Sequence, residues 1–353
     1  MASPAARSDP TPLVVLTGFL GSGKTTLLNR LLGQPSLADT AVIINELGPV
    51  GIDHLLVETL TDDVLLLESG CICCTAGEDL GATLTGLLAR RGIGELPPFR
   101  RIVLETTGVA DTGRLLQRLL GDSALAPEVR IHGVLTVVDA VFGSVTLERY
   151  PECAHQIAVA NQLVLSKLDL AEAAGVESLR TRLRALNPLA TVVEGGSARL
   201  DCARLFEDIG HGGVSFAVTP LPAPDAADAP AVRAAMSSTR AEHHADRYSA
   251  FSLHWDEPVS WVDFEAWLEA LLLARGESIL RIKGLLNVAG RRRPQLVQGV
   301  QHALYPCAEL RAWPHDTPRS EFVFVTRDFS ASATRRSLQQ CFPSGPEFSE
   351  RPP

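Results

Sequence analysis

The chain has no run approaching the roughly 18 consecutive apolar residues of a membrane span, and its opening Met1-Ala-Ser-Pro-Ala-Ala-Arg7 lacks the apolar core of a secretory signal. Neither membrane insertion nor export is expected, and the cytoplasm is the expected compartment. Basic charge is also short: the formal net charge is -9. Neutralising a nucleic-acid backbone needs a basic face, so nucleic acid is not an expected partner. Lysine is scarce, with only Lys24, Lys167 and Lys283 in 353 residues. Where arginine carries nearly all the positive charge, a retained lysine points to a site that needs a compact ammonium instead of a planar fork. Seven cysteines occur, and three of them crowd into Cys71, Cys73 and Cys74. In a reducing compartment such clustering favours metal binding or redox chemistry over structural disulfides.

What is present suits two domains, one of them large, in an ordinary globular chain of 46% hydrophobic and 21% charged residues. Residues 1–12 read as a disordered leader. An apolar run from Leu13 stops at a glycine and resumes as Leu27, Leu28, Leu31 and Leu32, which predicts a buried strand, a tight turn and a helix. The turn reads Gly18-Phe-Leu-Gly21-Ser22-Gly23-Lys24-Thr25-Thr26 and matches G-x-x-x-x-G-K-[ST]. Glycines there let backbone N–H groups curl around phosphate oxygens; Lys24 reaches the terminal phosphates and Thr25 ligates Mg²⁺.

Further short apolar runs follow at Ala41, Val64, Arg101, Gly133 and Gln162, with helical spacing between several of them. Strands alternating with helices predict an α/β fold of the P-loop NTPase kind with a mostly parallel sheet. The run at Ala41 ends in Asn45 to Asp53, a polar, glycine-punctuated loop placed where nucleotide switches sense a γ-phosphate. The run at Val64 ends in the cysteine cluster, where thiolates at Cys71, Cys73 and Cys74 can converge on a soft cation such as Zn²⁺. Arg101 to Leu104 leads into Glu105-Thr-Thr-Gly108, a carboxylate at a strand end three residues before a glycine. Glu105 is expected to hold Mg²⁺ through water or to polarise the attacking water, and the Gly108 amide to feel the terminal phosphate. After Gln162 to Leu165 comes Ser166-Lys167-Leu168-Asp169. A carboxylate in the base plane accepts from N1–H and the exocyclic amine of guanine, which adenine does not reproduce, so GTP is expected over ATP. The usual form of this motif begins with Asn, and Ser166 departs from it.

Alanine, proline and aspartate dominate around residues 213–247, a linker composition that carries His243 and His244, candidates for transient metal capture. The nucleotide domain is therefore expected over 13–212 and a smaller α+β domain over 248–353. In the latter, Tyr248 to Trp255 alternates like a strand, and Trp261, Phe264, Trp267, Leu268 and Leu271 mark a helix whose aromatics are core. Ile279 to Val288 and Gln295 to Leu304 flank a basic turn and predict a hairpin.

Taken together, the phosphate loop, Cys-Ile-Cys-Cys, Glu-Thr-Thr-Gly and Ser-Lys-Leu-Asp make the chain resemble the CobW-like metallochaperone GTPases over nearly its whole length. Arg281-Ile-Lys-Gly284, Asn287-Val288, Gly299 to His302 and Trp313-Pro314 are similar to that family's C-terminal motifs. The resemblance implies GTP binding with Mg²⁺, slow hydrolysis, and a transition metal held at the cysteine motif and passed to a client metalloprotein. Zinc is the expected metal, with cobalt or iron next. A dimer that depends on nucleotide or metal is compatible with such a switch. Two other readings fit the same motifs: an insertion or activation factor for one cobalt or iron enzyme or for cobalamin synthesis, and a metal-sensing interaction module switched by nucleotide. Many members carry a long His-rich stretch near the domain boundary, which this chain replaces with His243 and His244 alone.

Overall fold

Apolar runs of five to seven residues that are buried on both faces can only form the interior of a layered sheet, and that is what the computed structural model contains. It describes residues 9–34, 39–45, 64–69, 80–196, 205–206, 247–342 and 349–351. Two compact units emerge. One takes the described residues of Met1–Val141, Ala160–Val176 and Thr191–Gly210; the other takes those of Phe142–Val159, Glu177–Ala190 and His211–Pro353.

In the first unit the chain runs β1 (Thr11–Thr17), α1 (Lys24–Leu32), β2 (Thr40–Asn45), β3 (Val64–Ser69), α2 (Leu80–Gly92), β4 (Arg101–Glu105), α3 (Thr112–Gly121) and β5 (Val129–Asp139). Helices α4 (Gly143–Arg149) and α5 (Pro151–Val159), which belong to the second unit, come next in the chain. Then β6 (Gln162–Ser166) follows, α6 (Ala173–Leu186) begins in the first unit and continues in the second, and β7 (Thr191–Glu194) closes the sheet. The seven strands lie in the order β3-β2-β4-β1-β5-β6-β7, and every pairing is parallel. Because β4 returns to one side of β1 and β5 takes the other, the carboxyl end of β1 is a switch point in the winding, where open α/β sheets place their ligands.

The sequence period that predicts α1 also seats it. Leu27, Leu28, Leu31 and Leu32 are buried against Val14 and Leu16 of β1, Val42 and Ile44 of β2, Val103 of β4, and Leu135 and Val137 of β5. Each buried leucine contributes about 1.5–3 kcal/mol. Truncating the fully buried Leu28 to alanine should cost about 2–5 kcal/mol. The helix that begins at the phosphate loop is thereby fixed to the strand that ends there.

The second unit is built on an antiparallel sheet of β8 (Tyr248–Trp255), β9 (Ile279–Leu286), β10 (Gln295–Val300), β11 (Ala303–Leu304), β12 (Ala308–Glu309), β13 (Ser320–Arg327) and β14 (Ser349–Arg351), with α7 (Trp261–Arg275) and α8 (Ala331–Cys341). Phe264, Trp267, Leu268, Leu271 and Leu272 of α7 bury against Phe251, Leu253 and Trp255 of β8 and Phe322 and Phe324 of β13. The Trp255 and Phe322 rings stack with centroids 5.6 Å apart. Gly284 on β9 makes room for this: a Cβ there would lie 2.3 Å from the Phe322 ring. The aromatics are core, as their spacing implies, and the hairpin of β9 and β10 carries Arg291, Arg292 and Arg293 in an exposed turn.

Candidate functional site

Where β1 ends, the backbone adopts conformations that need glycine. Gly18, Gly21 and Gly23 have φ of 142°, 70° and 93°, a region that other residues rarely enter. At Gly18 a side chain is also excluded by space, since a Cβ would come 2.4 Å from the Val137 carbonyl. The loop then delivers Lys24 as the first residue of α1, which has no side-chain cap and no acid in its first turn. Its leading amides and its dipole are left for an anion. The Lys24 ammonium donates to the loop's own Gly18 and Phe19 carbonyls at 2.9 and 3.3 Å. The Ser22 hydroxyl is buried without a hydrogen-bond partner, and Thr26 is exposed at the helix start.

Glu105 terminates β4 beside Leu16 of β1 and Ile44 of β2. It is only 5% exposed, and its Oε1 accepts from the Thr25 hydroxyl at 3.2 Å. Two hard oxygen donors held together next to a phosphate loop fit Mg²⁺, and a buried carboxylate gains from a cation there. Gly108, three residues on, has no space for a side chain: an added Cβ would lie 2.6 Å from the Leu20 amide nitrogen and 2.7 Å from its Cα. Its backbone rests directly on the phosphate loop.

The segment from Ser166 to Asp169 is tied to the same loop. Ser166, the last residue of β6, donates from its hydroxyl to the Ser22 carbonyl at 2.6 Å and lies 3.3 Å from the Val138 carbonyl. The departure from Asn at this position therefore keeps an anchoring hydrogen bond. Lys167 sits at φ 54°. Its ammonium donates to the Gly21 carbonyl at 2.7 Å and to Asp139 Oδ2 at 2.7 Å. Asp169, in the short 3-10 turn that follows, is exposed. Asp139, the last residue of β5, joins this cluster although no sequence motif marks it. The available signal was the scarcity of lysine, since each retained ammonium near a phosphate loop needs a partner, and Asp139 is the acid in register with Ser166 across β5 and β6.

Cys71, Cys73, Cys74, the switch segment from Glu46 to Asp53, and His243 and His244 lie outside the described residues, as does nearly all of the expected linker. Among the described residues no group of three or more His, Cys, Asp or Glu is arranged to hold a metal ion. The described cysteines are Cys153, whose thiol is pushed up to about 12 by burial and then by the charge of Glu152, and the exposed Cys307 and Cys341. The strands that precede the switch and cysteine segments are described: β2 and β3 end side by side, Asn45 opposite Ser69, at the carboxyl edge of the sheet where Glu105 ends β4. Strands spaced at about 4.8 Å put the end of β3 about 10 Å from the end of β4. Among the described residues no helix is long and apolar enough to cross a membrane.

Comparison with known proteins agrees with this geometry. The family model described as CobW/HypB/UreG, nucleotide-binding domain, matches residues 12–194, and that described as Cobalamin synthesis protein cobW C-terminal domain matches 248–342. Over 322 residues the chain is 31% identical to the zinc chaperone YjiA of Escherichia coli K12, covering 90% of this chain and 94% of that one. It is 28% identical over 372 residues to the zinc chaperone CobW of a Sinorhizobium species, covering 96% and 99%. The crystal structure of the Zn(II)-bound YjiA GTPase from E. coli superposes with a TM-score of 0.69 at 26% identity, over 95% of this chain and 99% of that one.

Proposed function

The chain belongs to the CobW/HypB/UreG family, with the CobW C-terminal domain, and from that premise we propose that it is a GTP-dependent metallochaperone. In this reading it hydrolyses GTP to GDP and phosphate slowly, and carries a transition metal on Cys71, Cys73 and Cys74 to a client metalloprotein. Zinc is the favoured cargo, because similar proteins over nearly the whole chain are named zinc chaperones and because thiolates suit it.

Each residue of the site has a task in that cycle. The phosphate loop and the first amides of α1 bind the phosphates, and Lys24 exchanges the Gly18 and Phe19 carbonyls for the phosphate oxygens. Thr25 and Glu105 would hold Mg²⁺, which supplies charge neutralisation at those oxygens. Gly108, lying on Leu20, brings a backbone amide towards the terminal phosphate. Ser166 and Lys167 brace the loop, and Asp169 accepts from the guanine edge. The observation that carries the proposal is the common sheet edge. The strand leading into the switch segment, β2, pairs with β4 at Glu105, and the strand leading into the cysteine segment, β3, pairs with β2, so an ordered GTP state is able to assemble the thiolate ligands and hydrolysis to release them. Such coupling is reciprocal, and bound metal should raise GTP affinity by the same factor.

The test is to titrate Zn²⁺ and Co²⁺ into protein loaded with Mg-GTP, with Mg-GDP and with no nucleotide, reading the cobalt–thiolate charge-transfer band beside a Cys73→Ala/Cys74→Ala double variant. Tighter binding in the GTP state that is lost in the double variant supports nucleotide-gated delivery and ranks the two metals. Equal affinity in all three states removes the gate and leaves an interaction module whose hydrolysis is incidental.

A further inference from the structure

Three threonines, of which only Thr106 falls within a motif, meet inside the nucleotide unit. Thr17 is the last residue of β1, Thr106 follows Glu105, and Thr112 is the first residue of α3. The Thr106 hydroxyl donates to the Thr17 hydroxyl at 2.8 Å, and the Thr17 and Thr112 hydroxyls lie 3.1 Å apart. Thr17 and Thr112 are fully buried, and Thr106 is 1% exposed. Since Thr106 supplies the proton of the first bond, Thr17 either gives its own proton to Thr112 or accepts a second one from it. In both cases one oxygen serves both bonds.

The position of that oxygen gives it a role. The segment from Thr107 to Asp111 joins β4 to α3, and residues at both of its ends are tied to Thr17, the residue that leads into the phosphate loop. The backbone repeats the tie at one end, where the Thr106 amide donates to the Leu16 carbonyl at 2.9 Å. Between the two ends lies Gly108, with its Cα against the Leu20 backbone. The loop is thus held at both ends and rests on the phosphate loop in its middle.

We propose that Thr17 is a positioning residue, a clasp that sets the Gly108 loop for a terminal phosphate before GTP arrives. The proposal rests on reading the site as a GTP site. Preorganised donors gain because they need not be ordered at the moment of binding or reaction. GDP lacks the phosphate that Gly108 would sense, so a clasp acting through Gly108 affects GTP and spares GDP. Three buried threonines with a packing role alone would affect both nucleotides and the stability together.

Thr17→Val keeps the shape and removes the shared oxygen, and Thr17→Ser keeps the oxygen. Hydrogen exchange of residues 106–112 in the nucleotide-free protein reads the clasp directly. Affinities for GDP and for a non-hydrolysable GTP analogue, with single-turnover hydrolysis, read its consequence. In Thr17→Val we expect exchange across 107–111 to quicken. Analogue binding should weaken roughly 5- to 30-fold, the range given by losing one or two net buried hydrogen bonds. GDP affinity should stay within about twofold, hydrolysis should fall at least as far as analogue binding, and Thr17→Ser should restore all of these. Unchanged exchange, or equal weakening of GDP and analogue, would overturn the clasp. Absence of GTP binding by the unsubstituted protein would instead overturn the nucleotide reading, and with it the role in phosphate sensing. If Thr17→Val does not fold, Thr112→Val removes one of the two bonds and should give smaller effects in the same directions.

Discussion

The Ser166 hydroxyl donates to the Ser22 carbonyl across 2.6 Å, so the first residue of the proposed base-reading motif is bonded to the phosphate loop. Neither GDP nor GTP is favoured by that bond, because it braces the loop common to both. Ser166→Ala should weaken both nucleotides equally, by about 5- to 10-fold, the equivalent of one net hydrogen bond. The GTP-to-ATP preference should survive, since the proposed reader of the base is Asp169. Calorimetric titration with GDP, GTP analogue and ATP checks both parts, and a selective loss of guanine preference would contradict the assignment.

Gly108 and Gly21 separate space from conformation. At Gly108 a methyl would meet backbone atoms of Leu20 at 2.6 and 2.7 Å, while at Gly21 it would meet nothing within 4 Å but sits at φ 70°. Gly108→Ala must displace one loop from the other, at about 1–3 kcal/mol, and should abolish measurable hydrolysis. Gly21→Ala carries only left-handed strain of about 1–2 kcal/mol and should keep nucleotide binding within roughly 30-fold by that measure. Thermal melting with single-turnover hydrolysis tests the order; a more active Gly108→Ala would reverse it.

The parts of this site that were legible in the sequence are local ones. Gly18, Gly23 and Lys24 announce themselves because a strand, a loop with φ above zero and a leucine-periodic helix are each short-range patterns, and Tyr248 to Trp255 was legible as β8 for the same reason. Helices α3 and α6 carry the same local period, Leu115, Leu116 and Leu119 in one and Val176, Leu179, Leu183 and Leu186 in the other, whereas Asp139 and Thr17 acquire their roles only through residues 28 and 95 positions away. Burial is a second thing that local pattern does not carry: Leu280, Arg281, Ile282 and Lys283 alternate apolar and charged, yet all eight residues of β9 are buried. Tertiary cover decides that: the Arg281 guanidinium donates to the Val159 carbonyl at the end of α5, so the charged face is not a solvent face. Alternation marks which residues share a face and is silent on what lies over it.

Asp139 gives the ion pair to Lys167 a direct test. The carboxylate is well covered while the ammonium is about one-third exposed, so solvent screening limits the pair to about 1 kcal/mol or less. Its role is to aim Lys167 at the Gly21 carbonyl. Asp139→Asn should leave the melting temperature within about 3 °C, as a change of that size implies, and should lower affinity for GDP and GTP alike by about 3- to 5-fold. A melting temperature lowered far beyond this with unaltered affinity would make the pair structural instead.

Lys283 makes the stability of the second unit depend on pH in an unusual direction. Burial, reinforced by the positive charge of Arg281, lowers its pKa from 10.5 to about 8. Between those values the folded chain has released a proton that the unfolded chain still holds, so stability contributed by this group rises with pH from about 8 to 10.5. Below that window both states are charged and the full cost of burying the ammonium is present, about 3 kcal/mol for a shift of this size. Cys153 acts oppositely above pH 9, because its thiol stays protonated in the fold up to about 12. The wild-type curve therefore mixes two trends, and the difference from Lys283→Met isolates one. Urea unfolding should find Lys283→Met more stable by about 3 kcal/mol at pH 7 and by only about 1 kcal/mol near pH 10, where the wild-type amine is neutral in the fold and increasingly so in the unfolded chain. A gap that does not change with pH would mean that the ammonium remains hydrated in the folded protein.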